Sequence, residues 1–185
     1  MHVEQSNIRK VSLTDLQAEF ALDPVSVILE DFEPGRGKIV IECFGKAWSA
    51  YWGGMGKKDI ATFFCRCDEH YLAGKLSSVD DMIPDYAALS RQAYEVVVDQ
   101  RRRGVRTKHD ARGLYDDLKS GASAESPDDL DDSALSDTLG PEWFRDIPMK
   151  TNPDYQYLCR IIRAVQAGLK QIQASETQPT REVTT

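Results

Sequence analysis

The chain has 185 residues, of which 41% are hydrophobic and 29% charged, and its formal net charge at pH 7 is −7. This composition excludes a wholly disordered chain, and no apolar run approaches the ~18 residues that a membrane span requires. The negative charge argues against a protein that binds nucleic acid with its whole surface, although it is compatible with a local basic patch. The length predicts a single domain over residues 1–185.

The amino terminus has neither the apolar segment nor the cleavage site of a signal peptide, so we expect a protein that is not exported. Without an export signal, the four cysteines are expected to be reduced thiols rather than disulfides. These features predict a cytoplasmic protein that makes no contact with a membrane.

The segment 25–52 predicts a three-stranded antiparallel meander. Alternating residues form its first two strands, and the turn residues Pro34-Gly35 separate them. The dipeptide Gly45-Lys46 predicts a type II′ turn before the third strand, because glycine tolerates a positive φ at the first turn position. Residues 8–13 alternate more weakly and are a candidate edge strand.

Aromatic residues crowd the third strand of this meander. Trp48 and Trp52 share one face of the strand and are expected in the core. Tyr51 lies on the opposite face and is the candidate surface residue, since aromatic side chains are enriched at binding hot spots.

A helix is predicted over 59–72, where apolar residues recur at helical spacing, with Asp59 as its cap and Gly74 as its stop. The meander and this helix together occupy residues 25–78.

Residues 80–150 are predicted to form a helical insertion. It contains one helix over 86–103 and a second helix that Thr107 caps. Between residues 120 and 140, six acidic residues occur without any Lys or Arg, which predicts a mobile, solvated loop that folding does not require.

The last helix is predicted over 152–173, with Asn152 as its cap and Pro153 in its first turn, and a polar tail over 175–185 follows it. Its apolar seam would pack on the core or, as the alternative, drive homodimerisation. The predicted fold class is therefore α+β: a small antiparallel meander packed on helices, with a helical insertion and an acidic loop.

Cys65, Cys67 and His70 resemble a metal site, to which Cys43 would add a third sulfur. In a helix, however, Cys65 and Cys67 project about 200° apart and cannot face one ion. Zinc sites also usually place at least two residues between such cysteines. We therefore expect no metal and no other cofactor, with Cys67 in the core beside Phe63 and Phe64.

The segment 101–108 places five cations in eight residues. They could contact the phosphates of a nucleic acid or an acidic partner protein. The alternative is a solvated helix end whose charges complement the helix dipole and pair with the acidic segment that follows. The candidate binding residues are Arg101, Arg102, Arg103, Arg106, Lys108 and Tyr51.

Several strings of residues carry a family resemblance, and the most specific of them is Trp48-Ser49-Ala50-Tyr51-Trp52-Gly53. The chain resembles, over about residues 25–78 and 150–172, a family of small proteins from tailed bacteriophages and prophages. The resemblance implies a phage setting, and hence the cytoplasm of the host, but it implies no particular activity. The strings are 27–32, 35–39, 47–56, 63–68 and 157–166.

The sequence contains no nucleophile elbow, no zinc-protease motif and no kinase motif, so we expect no catalytic residues. The leading hypothesis is a non-enzymatic phage accessory protein that binds a host or phage protein, with inhibition of a host defence complex as one form. The second hypothesis is a nucleic-acid-associated factor that uses residues 101–108. The third is an enzyme of unrecognised type.

Overall fold

The computed structural model of the protein describes residues 8–177. The described residues combine antiparallel sheets with helices, which confirms the predicted α+β class. The strands are β1 (Arg9–Leu13), β2 (Val25–Glu33), β3 (Arg36–Cys43), β4 (Lys46–Trp52), β5 (Met82–Pro84) and β6 (Met149–Thr151). The α-helices are α1 (Ile60–Arg66), α2 (Glu69–Leu76), α3 (Tyr86–Arg102), α4 (Lys108–Ser120), α5 (Asp132–Leu139) and α6 (Pro153–Thr177).

The described residues divide into two compact units, whereas the length predicts one domain. The sheet unit contains residues 8–80 and 153–177, and the helical unit contains residues 81–152. The helical unit is a separate body because its two ends are joined within it: β5 pairs with β6, and the amide of Asn152 donates to the carbonyl of Asp81 at 2.9 Å.

The sheet of the sheet unit has the strand order β1-β2-β3-β4, and every pair is antiparallel. The predicted meander and its edge strand are thereby confirmed. The register aligns Val27 with Ile41 and Ile41 with Trp48, so one face of the sheet carries the buried apolar residues. In β4, Trp52 is buried and Tyr51 is 57% exposed, as the alternation predicts.

The turn between β3 and β4 lies one residue earlier than predicted. Lys46 pairs with Cys43 in the ladder, so the turn residues are Phe44 and Gly45. Their φ values are +47° and +74°, which is the pattern of a type I′ turn and not of the predicted type II′ turn. The prediction failed because it assumed that the glycine occupies the first turn position.

The turn between β2 and β3 requires a glycine at position 35. Gly35 has a φ of +85°, and a Cβ atom there would lie 2.0 Å from the carbonyl oxygen of Gly56. The Gly35 carbonyl also accepts a hydrogen bond from the amide of Met55 at 2.7 Å. The glycine-rich segment after β4 therefore packs directly on this turn.

The single helix predicted over 59–72 is wrong. α1 ends at Arg66, Cys67 is extended, and the side chain of Asp68 accepts from the amide of Tyr71 to begin α2. An Asp at this position favours a new helix start over continuation, because its carboxylate satisfies an amide that has no partner in the helix. Gly74 lies inside α2 and is not a stop, whereas Asp59 caps α1 as predicted.

The break between α1 and α2 is held by a side chain of α6. The amide group of Gln166 donates to the carbonyl oxygens of Phe64 at 3.0 Å and Cys67 at 2.9 Å. Leu158, Ile162 and Val165 on the same helix are buried, so the predicted core-facing seam is confirmed. α6 continues to Thr177, beyond the predicted end at 173, and the rest of the predicted tail lies outside the described residues.

The loop predicted over 120–140 is also wrong. Short 3-10 helices occupy Gly121–Ser123 and Pro127–Asp129, and α5 follows with Leu135 fully buried against α3 and α4. Two of the acidic residues of this segment, Asp129 and Asp131, accept hydrogen bonds from backbone amides at helix starts and thereby order the chain. Asp131 accepts from the amide of Ala134 at 2.9 Å, and backbone hydrogen bonds from Ser126 and Glu125 lower the pKa of Asp129.

Replacing residues 120–140 with a Gly/Ser linker is therefore expected to destabilise the helical unit. Truncating Leu135 alone to Ala should lower the free energy of unfolding by about 2–5 kcal/mol, because it opens a cavity in the core of this unit. Urea unfolding followed by circular dichroism measures the loss. The control Asp128→Ala changes an exposed residue of the same segment and should stay within about 0.5 kcal/mol of wild type. An unchanged midpoint for Leu135→Ala would contradict the assignment.

Gln166→Leu is expected to lower the free energy of unfolding by about 1–3 kcal/mol, since it removes two hydrogen bonds that join α6 to the α1–α2 break. Leucine preserves helix propensity and side-chain size, so the loss reports on the amide group. The matched control is Gln171→Leu, an exposed position on the same helix, and it should be neutral. Equal effects of both substitutions in urea unfolding would contradict the role of Gln166.

Candidate binding groove

The predicted basic residues lie where α3 ends and α4 begins. Gly104, with a φ of +73°, reverses the chain after α3, and Thr107 then caps α4 by accepting from the amide of Asp110. α3 and α4 pack against each other, so cations from the last turn of one helix and the first turn of the other meet at the same end of the pair.

Two of the five predicted cations are engaged within the helical unit. The guanidinium of Arg106 donates to the carboxylate of Asp137 at 2.8 Å and to its carbonyl oxygen at 2.7 Å. Arg106 is only 19% exposed and ties the start of α4 to α5. Arg103 forms an ion pair with Asp99 one turn earlier on α3.

The other three predicted cations line an open groove of about 970 Å³ between α3 and α4. Its floor is apolar and includes Val97, Val98, Ala111 and Tyr115. Gly113 adds no side chain, which leaves that part of the wall open. The cations on its rim are Arg101, Arg102, Lys108, His109 when protonated, and Arg112.

His109 and Arg112 were missed from the sequence. Lys108 and Arg112 are four residues apart on α4, so helical spacing places them on one side of the helix. Helical spacing from Lys108 would have identified Arg112, which lies outside the contiguous basic run. The one acidic residue among those that line the groove, Asp116, accepts from Arg112 at 3.0 Å.

Tyr115 occupies the centre of this face. Its ring lies 5.0 Å from the ring of Tyr94 in an edge-on arrangement, and the guanidinium of Arg112 lies 5.8 Å from its centroid. A separate, smaller depression of about 260 Å³ is also lined by Tyr115, together with Leu118. Tyr115 therefore contributes to both cavities of the α3–α4 pair.

Tyr51, the remaining predicted residue, belongs to the sheet unit, whereas the groove is lined by residues of the helical unit. Its ring lies 6.0 Å from that of Phe32, which is 53% exposed. The two rings form an exposed aromatic pair on the sheet unit.

Helix register does not separate Cys65 from Cys67, contrary to the prediction, because Cys67 follows α1 and is extended. The Nδ1 atom of His70 forms a hydrogen bond with the hydroxyl of Tyr155, at an Nδ1–Oη distance of 2.7 Å. Within residues 8–177, no group of three or more His, Cys, Asp or Glu side chains is arranged to hold a metal ion.

Burial favours the protonated form of three thiols of the sheet unit, those of Cys65, Cys67 and Cys159. Burial raises the pKa of the Cys159 thiol to about 11, and burial is also the main cause of the raised pKa values of Cys65 and Cys67. The sulfur of Cys43 lies 3.3 Å from the hydroxyl of Tyr157, and this hydrogen bond is the first cause that raises the pKa of Tyr157 to about 12.

The fold is that of an α+β protein with a four-stranded meander and a helical unit inserted before its last helix. The sequence model of a protein family that is described as a phage family matches residues 1–171. The chain belongs to that family. This match confirms the resemblance to phage proteins, and it extends across the segment 80–148 that the resemblance left unassigned. Neither the curated proteins nor the solved structures contain a significant match.

Among the helices of the described residues, none combines the length and the hydropathy that crossing a membrane requires.

Stoichiometric zinc is not expected, because no cluster of three or more ligating side chains occurs within residues 8–177 and the thiol of Cys65 points toward the carbonyl of Gln166 at 3.7 Å. Native mass spectrometry of protein purified without a chelator tests this expectation. One zinc ion per chain that is lost in Cys67→Ser and in His70→Ala would contradict it, and Arg66→Ala serves as the neighbouring control.

Proposed function

We propose that the protein is a non-enzymatic phage accessory protein that acts in the host cytoplasm by binding a host or phage protein. Inhibition of a host defence complex is one form that this function could take. The observation that carries the proposal is the groove between α3 and α4, which combines an apolar floor with a cationic rim. Protein interfaces share this composition, with an apolar centre and a polar, solvated rim.

The chemistry of the groove supports binding over catalysis. Its lining includes no Ser, Thr or Cys that could act as a nucleophile. The side chain of His109 is fully exposed, and its neighbour Asp110 lies 3.9 Å away, too far for the hydrogen bond that would orient a general base. The raised thiol pKa values in the sheet unit point the same way.

Loss of the groove cations is expected to abolish capture of the partner. The tested variant is Arg101→Gln/Arg102→Gln, and the control is Arg103→Gln/Arg145→Gln, which removes the same charge from exposed residues of the helical unit that do not line the groove. Affinity-tagged protein expressed in infected cells is recovered and analysed by quantitative mass spectrometry. A protein captured by wild type and control, but reduced at least about fivefold with the tested variant, is the expected result. Equal capture by both variants would contradict a role for the groove.

A nucleic-acid-associated factor remains the second candidate, because the rim concentrates cations that phosphates could contact. The apolar floor of the groove does not favour it.

Binding of DNA or RNA is expected to be no tighter than about 10 μM at about 150 mM salt, which lies inside the usual non-specific range. Labelled single- and double-stranded probes are titrated at several salt concentrations. The variant replaces Arg101, Arg102 and Lys108 with Gln and leaves Arg106 intact, because Arg106 stabilises the helical unit. Submicromolar binding that the variant loses, with a salt slope of about −3 or steeper, would place the nucleic-acid function first.

A further inference from the structure

The groove has two sides of similar chemistry. Arg101 and Arg102 lie on the α3 side, and Lys108 and Arg112 lie on the α4 side, with Val98 among the apolar residues between them. A ligand that fills the groove therefore meets positive charge on both sides of the end where α3 finishes and α4 begins, and an apolar surface between these cations. The complementary ligand is apolar on one stripe and acidic on the two stripes beside it.

The dimensions of the groove suit a helix. The residues of α4 that line it run from Lys108 to Asp116, which is eight residue steps, or about 12 Å at 1.5 Å per residue. That length accommodates about two turns of a third helix packed against the pair, as in a helix bundle.

One of the groove cations is neutralised by a groove residue, because Asp116 pairs with Arg112. Asp110 lies 3.9 Å from the ring of His109 and accepts from the hydroxyl of Thr107. Arg101, Arg102 and Lys108 remain exposed on the rim. The first turn of α4 adds the positive end of a helix dipole, which also favours carboxylates.

We propose that the groove between α3 and α4 binds an acidic amphipathic helix of the partner protein. The apolar stripe of that helix packs on Val98, Ala111 and Tyr115, and its Asp or Glu side chains reach Arg101, Arg102 and Lys108. The binding mode is the insertion of a helix into a groove, in which apolar anchors supply affinity and charges supply orientation. This inference rests on the proposed function and specifies the partner surface.

The test uses three labelled 18-residue peptides and fluorescence anisotropy with the full chain. The first has Leu at helical spacing with Glu on both flanks, the second replaces each Glu with Lys, and the third scrambles the first so that no apolar stripe remains. We expect the first peptide to bind at least about tenfold more tightly than the other two. We also expect its helical content to rise on binding, as measured by circular dichroism.

Two groove variants and one control variant localise the effect. Arg101→Gln/Arg102→Gln should weaken binding of the acidic peptide about tenfold, and Arg103→Gln/Arg145→Gln should change it less than about twofold. Val98→Asp places a carboxylate on the half-buried floor and should abolish binding. Circular dichroism verifies that each variant is folded before it is titrated.

Equal binding of the ordered and scrambled acidic peptides would overturn the proposal, because charge alone would then suffice. Tighter binding of a single-stranded 20-nucleotide DNA than of the acidic peptide would overturn it in favour of nucleic acid. A cross-linking experiment on the captured protein distinguishes failure of this inference from failure of the proposed function. If the groove variant loses the captured protein, but the segment that cross-links to the groove is not an acidic helix, then the binding function stands and this inference fails.

Discussion

α1 has only seven residues, and its position depends on hydrogen bonds that other elements supply. An isolated helix of this length is unstable in water, because too few hydrogen bonds offset the cost of its first turn. At its start, the carboxylate of Asp31 on β2 accepts from the amide of Ile60 at 2.7 Å. At its end, Gln166 on α6 donates to the carbonyls of Phe64 and Cys67. One short helix therefore joins the sheet to α6 through polar contacts at both ends, and the buried face of Phe64 then closes the core between them.

The helical unit depends on a comparable arrangement. Its chain enters and leaves through the paired strands β5 and β6, and its core forms around Leu89, Val97 and Leu135. Arg106, in the turn before α4, donates to Gln100 on α3 and to Asp137 on α5, so this one side chain connects the segment before α4 to two other helices. These contacts help to hold the start of α4 beside the end of α3, where the cations of the groove lie.

The sequence predicted those parts of the fold that local patterns specify. Alternation placed Tyr51 outside and Trp52 inside, and the apolar seam of α6 predicted its buried face. The errors lie where one local signal competes with another. The apolar spacing across Cys67 favours a continuous helix, but the capping preference of Asp68 prevails once Gln166 satisfies the carbonyls before it. That side chain is about a hundred residues away, so no local pattern contains it. The acidic composition of 120–140 likewise predicted a solvated loop, because the burial of Leu135 depends on contacts with α3 and α4 that no local pattern contains.

The candidate site illustrates the same limit at the level of single residues. Arg102 and Arg103 are neighbours in sequence, but successive residues of a helix project about 100° apart. Arg102 lines the groove, whereas Arg103 turns back along α3 to pair with Asp99. The basic run is therefore divided: Arg101 and Arg102 line the groove, and Arg103 does not. Lys108 and Arg112, four residues apart, share one side of α4, whereas Arg106 precedes that helix and bonds to Asp137. The exposed cations that line the groove thus come from both helices and not from one contiguous segment.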